Sequence, residues 1–118
     1  MANTICHFEL VTDDPARCQA FYGSIFNWNF NSEGIPGYTM VDTGAQPGAG
    51  IFARPKEMPS PAMNVYILVD RIEDTLEKVR TAGGKVVNEK TPVPGIGHWA
   101  MFTDLDGICV GIFEPLKP

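Results

Sequence analysis

His7 and Glu9 are the residues of this sequence whose types and spacing most directly suggest chemistry. They lie two positions apart in residues 4–11, where apolar and polar residues alternate as in a β-strand. Both side chains should therefore point to one face of the strand. An imidazole beside a carboxylate can act as an acid/base pair or orient a bound ligand. The alternative is structural, with His7 as a hydrogen-bonded core group and Glu9 paired with a neighbouring side chain.

Methionine and aromatic residues suggest an apolar pocket near this pair. Such side chains suit an adaptable binding surface, and they are also what any small core uses. Strand alternation should direct some of them inward without fixing which ones. His98 is the only other histidine, and its position beside Gly97 predicts a polar residue in a turn. The pocket candidates are Trp28, Tyr38, Met40, Trp99 and Met101.

The elements that would position these residues follow one order, a strand, a helix and three more strands. After the first strand, Asp14 is a suitable N-cap and Pro15 suits the first helical position. Apolar residues then recur at helical spacing, namely Cys18, Phe21, Tyr22, Ile25 and Phe26. Strands are predicted over residues 28–31, 38–41 and 49–53, which are separated by glycine and proline turns.

The same order returns after a proline-rich linker over residues 54–61. A strand is predicted over residues 64–69, followed by a helix with Asp70 as N-cap and Glu73 completing a capping box. Gly83 and Gly84 are predicted to end this helix. Its apolar face consists of Ile72, Leu76 and Val79. The last strands are predicted over residues 85–89, 99–102 and 108–113.

Two copies of one unit would account for this repeated order. Gly50-Ile-Phe52 recurs as Gly111-Ile-Phe113, and Met40 recurs as Met101, each pair 61 positions apart. Several ordered identities at one separation exceed what composition alone gives, so the sequence predicts an internal duplication.

The first strand of each copy should divide its residues between a face that packs on the helix and a face that lines a concave cup, where ligand sites form. The residues suited to the helix face are Cys6, Phe8 and Leu10. His7 and Glu9 would face the cup, and their counterparts 57 positions later are Asn64 and Tyr66. Because we expect His7 and Glu9 to border solvent, replacing them should leave stability nearly intact.

Composition restricts the partners and the compartment. The 118 residues carry a net charge of −5 without a run of lysine or arginine, which disfavours nucleic acid and anionic membranes as partners. The three cysteines are odd in number, lack CxxC spacing and follow no secretory leader, so reduced thiols in the cytoplasm are predicted. The length fits a single domain over residues 1–118, with repeat units at about 1–55 and 62–116.

Several motifs together resemble the vicinal oxygen chelate superfamily, which includes glyoxalase I, bleomycin-resistance proteins and extradiol dioxygenases. The motifs are His7 in the first strand, Val11-Thr-Asp-Asp14 leading to Phe21-Tyr22, Val69-Asp70, and Asp104-Leu-Asp-Gly107 before the last strand. The resemblance implies an α+β fold in which tandem βαβββ repeats place eight strands around a central cup. The turn at Asp104 departs from the family pattern, because Leu105 and Ile108 replace the usual proline and asparagine.

The resemblance also implies where a metal ion would bind. Metal-using members place ligands at the positions that correspond to His7, Gly50, Asn64 and Gly111. A divalent ion needs imidazole or carboxylate donors, and glycine offers no side chain. Only one of the four positions carries a strong donor, so we predict no intrinsic metal and no cofactor.

These observations predict a protein that binds a small organic molecule in the cup without a metal ion. The first alternative is a metal-independent isomerase or lyase that uses Glu9 or His7 as acid and base. The second is a metal-dependent lyase or dioxygenase, against which the two glycines and Asn64 argue. By resemblance, a homodimer is expected. The predicted ligand-binding residues are His7, Glu9, Met40, Gly50, Asn64, Tyr66, Trp99, Met101 and Gly111.

Overall fold

The computed structural model describes residues 2–117 as two compact units. The N-terminal unit is His7–Asn64, and the C-terminal unit consists of the described residues on either side of it. The first two residues of the first strand therefore belong to the C-terminal unit. The described residues form eight strands and two helices, which confirms the predicted α+β class and the two consecutive βαβββ units.

The N-terminal unit contains one helix and a four-stranded arrangement in the order β2-β3-β4-β1. Strand β1 pairs in parallel with β4, whereas β2 with β3 and β3 with β4 pair antiparallel. The elements are β1 (Ile5–Thr12), α1 (Pro15–Ile25), β2 (Asn29–Ile35), β3 (Tyr38–Asp42) and β4 (Gly48–Ala53).

Helix α1 begins as the sequence predicts. An Asp14 side-chain oxygen accepts a hydrogen bond from the Arg17 N–H at 3.1 Å, and Pro15 occupies the first turn, where its missing N–H costs nothing. The apolar stripe is only partly used, because Phe21 and Ile25 are 58% and 55% exposed. Only part of the apolar stripe therefore packs on the core, and the rest is exposed to solvent.

The core of the N-terminal unit lies on one face of its strands. Leu10, Val41, Ala49 and Ile51 are buried there. Phe8, Cys18, Tyr22, Trp28 and Phe30 pack around them. The inclusion of Phe8 and Leu10 confirms the predicted helix-facing register of β1, and alternation turns the residues between them to the opposite face.

The C-terminal unit has the strand order β5-β8-β7-β6. Strand β5 pairs in parallel with β8, and the other neighbours pair antiparallel. The Leu68 N–H donates to the Thr4 carbonyl at 2.8 Å, so the start of the chain runs beside β5 in this unit. The elements are β5 (Ala62–Leu68), α2 (Ile72–Thr81), β6 (Lys85–Val93), β7 (Gly97–Thr103) and β8 (Cys109–Pro115).

The start of α2 differs from the prediction. Its N-cap is Arg71 rather than Asp70, and Arg71 makes no side-chain capping bond. The Ile72 N–H instead donates to the Glu114 carboxylate of β8 at 2.8 Å. Glu73 does not complete a capping box with Asp70 and pairs with Lys90 at 3.0 Å. A carboxylate distant in sequence thus accepts the N–H at the start of the helix, in place of the local cap that the sequence predicts.

The core of the C-terminal unit lies against α2. Its buried members are Val69, Ile72, Leu76, Ala100 and Ile112. Ile67, Val86 and Phe102 pack on this cluster. The helix ends at Thr81, and Gly83 follows with φ of +95°, a conformation that glycine adopts without strain.

The two units share a register as well as an order of elements. In the N-terminal unit, Gly50 of β4 lies between Glu9 of β1 and Met40 of β3. In the C-terminal unit, Gly111 of β8 lies between Tyr66 of β5 and Met101 of β7. Each position therefore has the counterpart that the 57 and 61 residue separations assign to it.

The turn at Asp104 closes without the proline of the family pattern. The Asp104 side-chain oxygen accepts from the N–H groups of Asp106 and Ile108, both at 2.9 Å. Gly107 supplies the positive φ of +86° that the turn requires. Leu105 and Ile108 are both exposed, so their departure from the family pattern leaves the turn intact.

The three cysteines are free. Cys6 and Cys18 are half-buried, whereas Cys109 is exposed. Partial burial raises the pKa of all three thiols, which disfavours the reactive thiolate. Among residues 2–117, no helix has the length and apolar character needed to cross a membrane.

Candidate functional site

The Tyr38 hydroxyl joins His7 and Glu9 into one hydrogen-bonded chain. The His7 Nε2 atom lies 2.7 Å from the Tyr38 Oη atom. The same hydroxyl donates to Oε2 of Glu9 at 3.0 Å. Within this chain of bonds, the phenol of Tyr38 on β3 therefore lies between the two predicted side chains on β1 and links them.

Gly50 makes room for the Tyr38 ring. Gly50 is the direct β4 neighbour of Glu9, and it is also paired with Met40, two residues beyond Tyr38. A Cβ atom added at Gly50 would overlap the Tyr38 hydroxyl and the ring atoms next to it. The Tyr38 side chain thus crosses over β4 toward β1, through space that any other residue at position 50 would occupy.

Glu9 is buried, with only 7% of its surface exposed. Its Oε2 accepts from Tyr38, and its Oε1 accepts from the Asn64 Nδ2 at 3.4 Å. The expectation that Glu9 borders solvent is therefore wrong. Burial of a carboxylate is costly unless donors surround it, and Tyr38 and Asn64 are two such donors.

Aromatic contacts hold the Tyr38 ring in place. The His7 imidazole stacks on Tyr38 with 6.4 Å between centroids and 21° between planes. Phe52 of β4 stacks on Tyr38 at 5.7 Å and 20°. Such offset pairs add specific geometry to the burial of the rings. The hydroxyl is therefore positioned by contacts with two strands besides its own.

The electrostatics of this cluster favour neutral His7 and protonated Tyr38. Burial lowers the pKa of His7, and the Glu9 charge opposes that shift without cancelling it. Burial raises the pKa of Tyr38, and both the charge of Glu9 and its hydrogen bond add to the increase. Because the single hydroxyl proton of Tyr38 is donated to Glu9, the His7 Nε2 must carry a hydrogen and donate to the phenol oxygen.

The structure brings together four of the predicted site residues in the N-terminal unit. His7, Glu9, Gly50 and Asn64 all contribute to the cluster around Tyr38, either by a hydrogen bond or by the space they leave. Met40 lies beside Gly50 in the strand pairing and is 40% exposed. Met40 is therefore a neighbour of the cluster rather than a part of its hydrogen-bonded chain.

The remaining predicted ligand residues lie in the C-terminal unit. A Cβ atom at Gly111 would overlap the Tyr66 ring, so a tyrosine again fills the space over the equivalent glycine. Met101 pairs with Gly111, and Trp99, two residues earlier on β7, pairs with Phe113. His98 lies within β7 and not in the predicted turn.

Tyr38 was absent from the predicted ligand-binding residues, although the sequence placed it among the pocket aromatics. Two signals could have found it. Tyr38 is two positions before Met40, so both share a strand face, and that face carries Gly50 on the neighbouring strand. A glycine in a strand interior often marks the close approach of another group. Periodicity alone does not say which side chain makes that approach.

The cluster does not fit a metal ion of the kind that the resemblance implied. Gly50 and Gly111 offer no side-chain donor, and a tyrosine ring occupies the space over each. Among residues 2–117, no group of three or more histidine, cysteine, aspartate or glutamate side chains is placed to hold an ion. Zinc sites take three or four such donors from the protein, and these residues do not supply them.

Comparison with curated proteins gives a relative at the level of sequence. The chain is 29% identical over 113 residues to CFP32 of Mycobacterium bovis (strain ATCC BAA-935 / AF2122/97) and of Mycobacterium tuberculosis (strain CDC 1551 / Oshkosh), a protein provisionally named a glyoxylase. The match covers 90% of this chain and 43% of CFP32. The chain therefore spans less than half the length of the curated relatives it matches.

Solved structures share the fold at low identity. Protein BH1468 from Bacillus halodurans C-125 superposes with a TM-score of 0.76 and 16% identity, over 100% of this chain and 98% of that one. Methylmalonyl-CoA epimerase from Mycobacterium tuberculosis gives 0.74 and 15%, over 99% and 94% of the two chains. The Mn(II)-bound glyoxalase from Novosphingobium aromaticivorans gives 0.70 and 16%, over 95% of this chain and 38% of that one.

These likenesses support the fold that the motifs suggested. The family model described as Glyoxalase/Bleomycin resistance protein/Dioxygenase superfamily matches residues 4–112, nearly the whole chain. The match includes both units and every residue of the Tyr38 cluster. The chain therefore belongs to the Glyoxalase/Bleomycin resistance protein/Dioxygenase superfamily.

Proposed function

We propose that this chain binds a small organic molecule beside the Tyr38 cluster and does so without a resident metal ion. The observation that carries the proposal is the Tyr38 hydroxyl itself, which bridges His7 and Glu9 in the space over Gly50. A phenol fixed by two polar partners and two stacked rings provides an ordered polar surface without metal coordination.

The composition of the cluster is that of an orienting site. Ligand sites are mostly apolar surfaces with a few fixed polar groups that set the pose of the ligand. Here His7, Tyr38 and Asn64 are the fixed polar groups, and Met40 and Phe52 supply apolar surface on the neighbouring strands. Half-buried His7 and Tyr38 remain partly accessible to a ligand.

Native mass spectrometry of protein purified without a histidine tag tests this function. We expect a co-purified molecule of low mass on the wild-type protein and less of it on His7→Ala. The matched control is His98→Ala, which removes the other histidine from a strand of the C-terminal unit. Equal occupancy of all three proteins would place the ligand elsewhere, and metal analysis showing one equivalent of ion on the wild type would refute metal independence.

A second candidate function is a metal-independent isomerase or lyase. The observation that favours it is the buried Glu9 carboxylate, linked through Tyr38 to a neutral imidazole. In an isomerisation the carboxylate takes a proton from the carbon next to a carbonyl, which leaves an enolate, and the resulting acid returns the proton to another position of that enolate. In a lyase reaction the enolate expels a leaving group from the neighbouring carbon, and the acid protonates that group. Methylmalonyl-CoA epimerase is among the proteins that share the fold.

Deuterium exchange separates the two functions. An isomerase or lyase should incorporate deuterium from heavy water at the carbon next to the carbonyl of the co-purified molecule. Glu9→Gln should abolish incorporation while the molecule still binds. Binding without incorporation in the wild type would contradict the isomerase or lyase and leave the proposed binding function.

We also propose that residues 1–118 fold as one domain, that the chain resides in the cytoplasm, and that two copies associate. These proposals follow from length, reduced thiols and the family resemblance. The same native mass spectra give the oligomeric state directly. A monomer mass at micromolar concentration would refute the homodimer.

A further inference from the structure

We infer that Tyr38 and Gly50 act together to keep a divalent metal ion out of the space between His7 and Glu9, so that replacing both residues converts this space into a metal site. This inference rests on the proposed metal-independent site and adds the residues responsible for excluding the ion. The first observation is the position of the Tyr38 hydroxyl. It lies 2.7 Å from His7 Nε2 and 3.0 Å from Glu9 Oε2, between the two side chains that could ligate an ion.

The chemistry of the phenol explains why it excludes an ion rather than binding one. A protonated hydroxyl donates to Glu9 and accepts from His7, which uses the atoms that an ion would need. The hydroxyl therefore lies between the two donor atoms and forms hydrogen bonds with both.

Gly50 is the second half of the pair. Side chains at positions 9 and 50 are direct neighbours on parallel strands and point to the same face. A carboxylate at position 50 would thus complete a set of three donors with His7 and Glu9. It cannot coexist with Tyr38, because even a Cβ atom at Gly50 overlaps the phenol. The phenol and a third ligand are mutually exclusive.

A tyrosine ring also covers the equivalent glycine of the C-terminal unit. Gly111 holds the position equivalent to Gly50, and a Cβ atom there would overlap the ring of Tyr66. The ring comes from β5 in this unit and from β3 in the other. A tyrosine ring therefore covers a glycine in both units, and the two rings come from different strands.

The experiment converts the pair and measures zinc binding. The variant Tyr38→Ala/Gly50→Glu removes the phenol and adds the third donor, and its matched control is Tyr38→Ala/Gly50→Gln, which differs only in charge. We expect titration calorimetry to show one Zn²⁺ bound to the glutamate variant, with affinity at least about tenfold above that of the control and of wild type. Adding His7→Ala should remove the gain.

The outcomes separate this inference from the proposed function. If Tyr38→Ala/Gly50→Glu folds but binds Zn²⁺ no more tightly than Tyr38→Ala/Gly50→Gln, the inference is overturned. The proposed metal independence of the wild type is not affected by that result. Stoichiometric zinc on wild type that is lost in His7→Ala overturns both.

A second pair of variants keeps the inference testable if the double variants fail to fold. Tyr38→Phe keeps the ring in the space over Gly50, whereas Tyr38→Ala empties it. We expect Tyr38→Ala to bind Zn²⁺ at least about threefold more tightly than Tyr38→Phe, since only Tyr38→Ala removes the ring from the space between His7 and Glu9. Equal affinities of the two variants would overturn the inference.

Discussion

Tyr38 is the residue on which the chemistry of the N-terminal unit depends. Its single proton goes to Glu9, so His7 must be the Nε2–H tautomer when neutral. The sequence predicted that His7 and Glu9 share a face, and they do. It could not predict that a third residue stands between them, because strand alternation gives the direction of a side chain and not how far it reaches across a neighbouring strand.

The tautomer of His7 is directly measurable. We expect ¹⁵N chemical shifts of the ring to show Nε2–H, and we expect the ring to titrate below its ordinary pKa of 6.5 because burial disfavours the charged form. In Tyr38→Phe the phenol oxygen is absent, so the preference for this tautomer should weaken. A wild-type spectrum of the Nδ1–H tautomer would contradict the assigned direction of the hydrogen-bond chain.

Glu9 should matter for stability as well as for binding. Glu9→Gln keeps the shape of the side chain, but its amide nitrogen cannot accept, so one of the bonds from Tyr38 and Asn64 is lost. We expect a loss of about 1–3 kcal/mol in the free energy of unfolding, measured by urea denaturation. The control Glu33→Gln alters an exposed side chain of β2 and should change little. Equal effects of the two substitutions would mean that the bonds to Glu9 do not stabilise the fold.

Strand β4 shows at the level of an element how one position sets the packing of its neighbours. Gly50→Ala should cost about 1–3 kcal/mol of unfolding free energy, because the new methyl group overlaps Tyr38. Gly34→Ala in β2 is the matched control, since nothing lies within 4 Å of the added atom.

A double-mutant cycle tests whether Tyr38 and Gly50 are energetically coupled. In a Tyr38→Ala background, the space over Gly50 is open, so Gly50→Ala should become nearly neutral. Thermal or urea unfolding of the four proteins measures the coupling. Additive effects would show that the methyl group and the phenol do not compete for one space.

The order and type of the elements were predictable because local signals agreed with one another. The Asp14 cap, the alternation of β1 and the glycines after α2 all lie close in sequence to the elements they define. The start of α2 was not predictable in this way. Its capping carboxylate is Glu114, 42 positions away from Ile72, and a contact over that distance leaves no local pattern.

At the scale of the whole molecule, the residues described here explain how stability should depend on pH in acid. Burial lowers the pKa of His7 below 6.5, so the unfolded chain takes up a proton before the folded chain does. Stability should therefore fall as the pH drops below 6.5. Burial alone would raise the pKa of Glu114, but the hydrogen bonds from Ile72 and Lys90 outweigh it and lower the pKa below 4.5. A second loss should follow as the pH falls below 4.5.

Stability should also fall at alkaline pH. Burial raises the pKa of the Cys6 and Cys18 thiols above 9.0, so the unfolded chain releases those protons first and stability should fall as the pH rises above 9.0. A plateau is thus expected between pH 6.5 and 9.0. Urea midpoints measured from about pH 3 to pH 10 check it, and His7→Gln should remove the part of the loss that begins at pH 6.5. An unchanged acid limb in His7→Gln would show that His7 is not the group that titrates there.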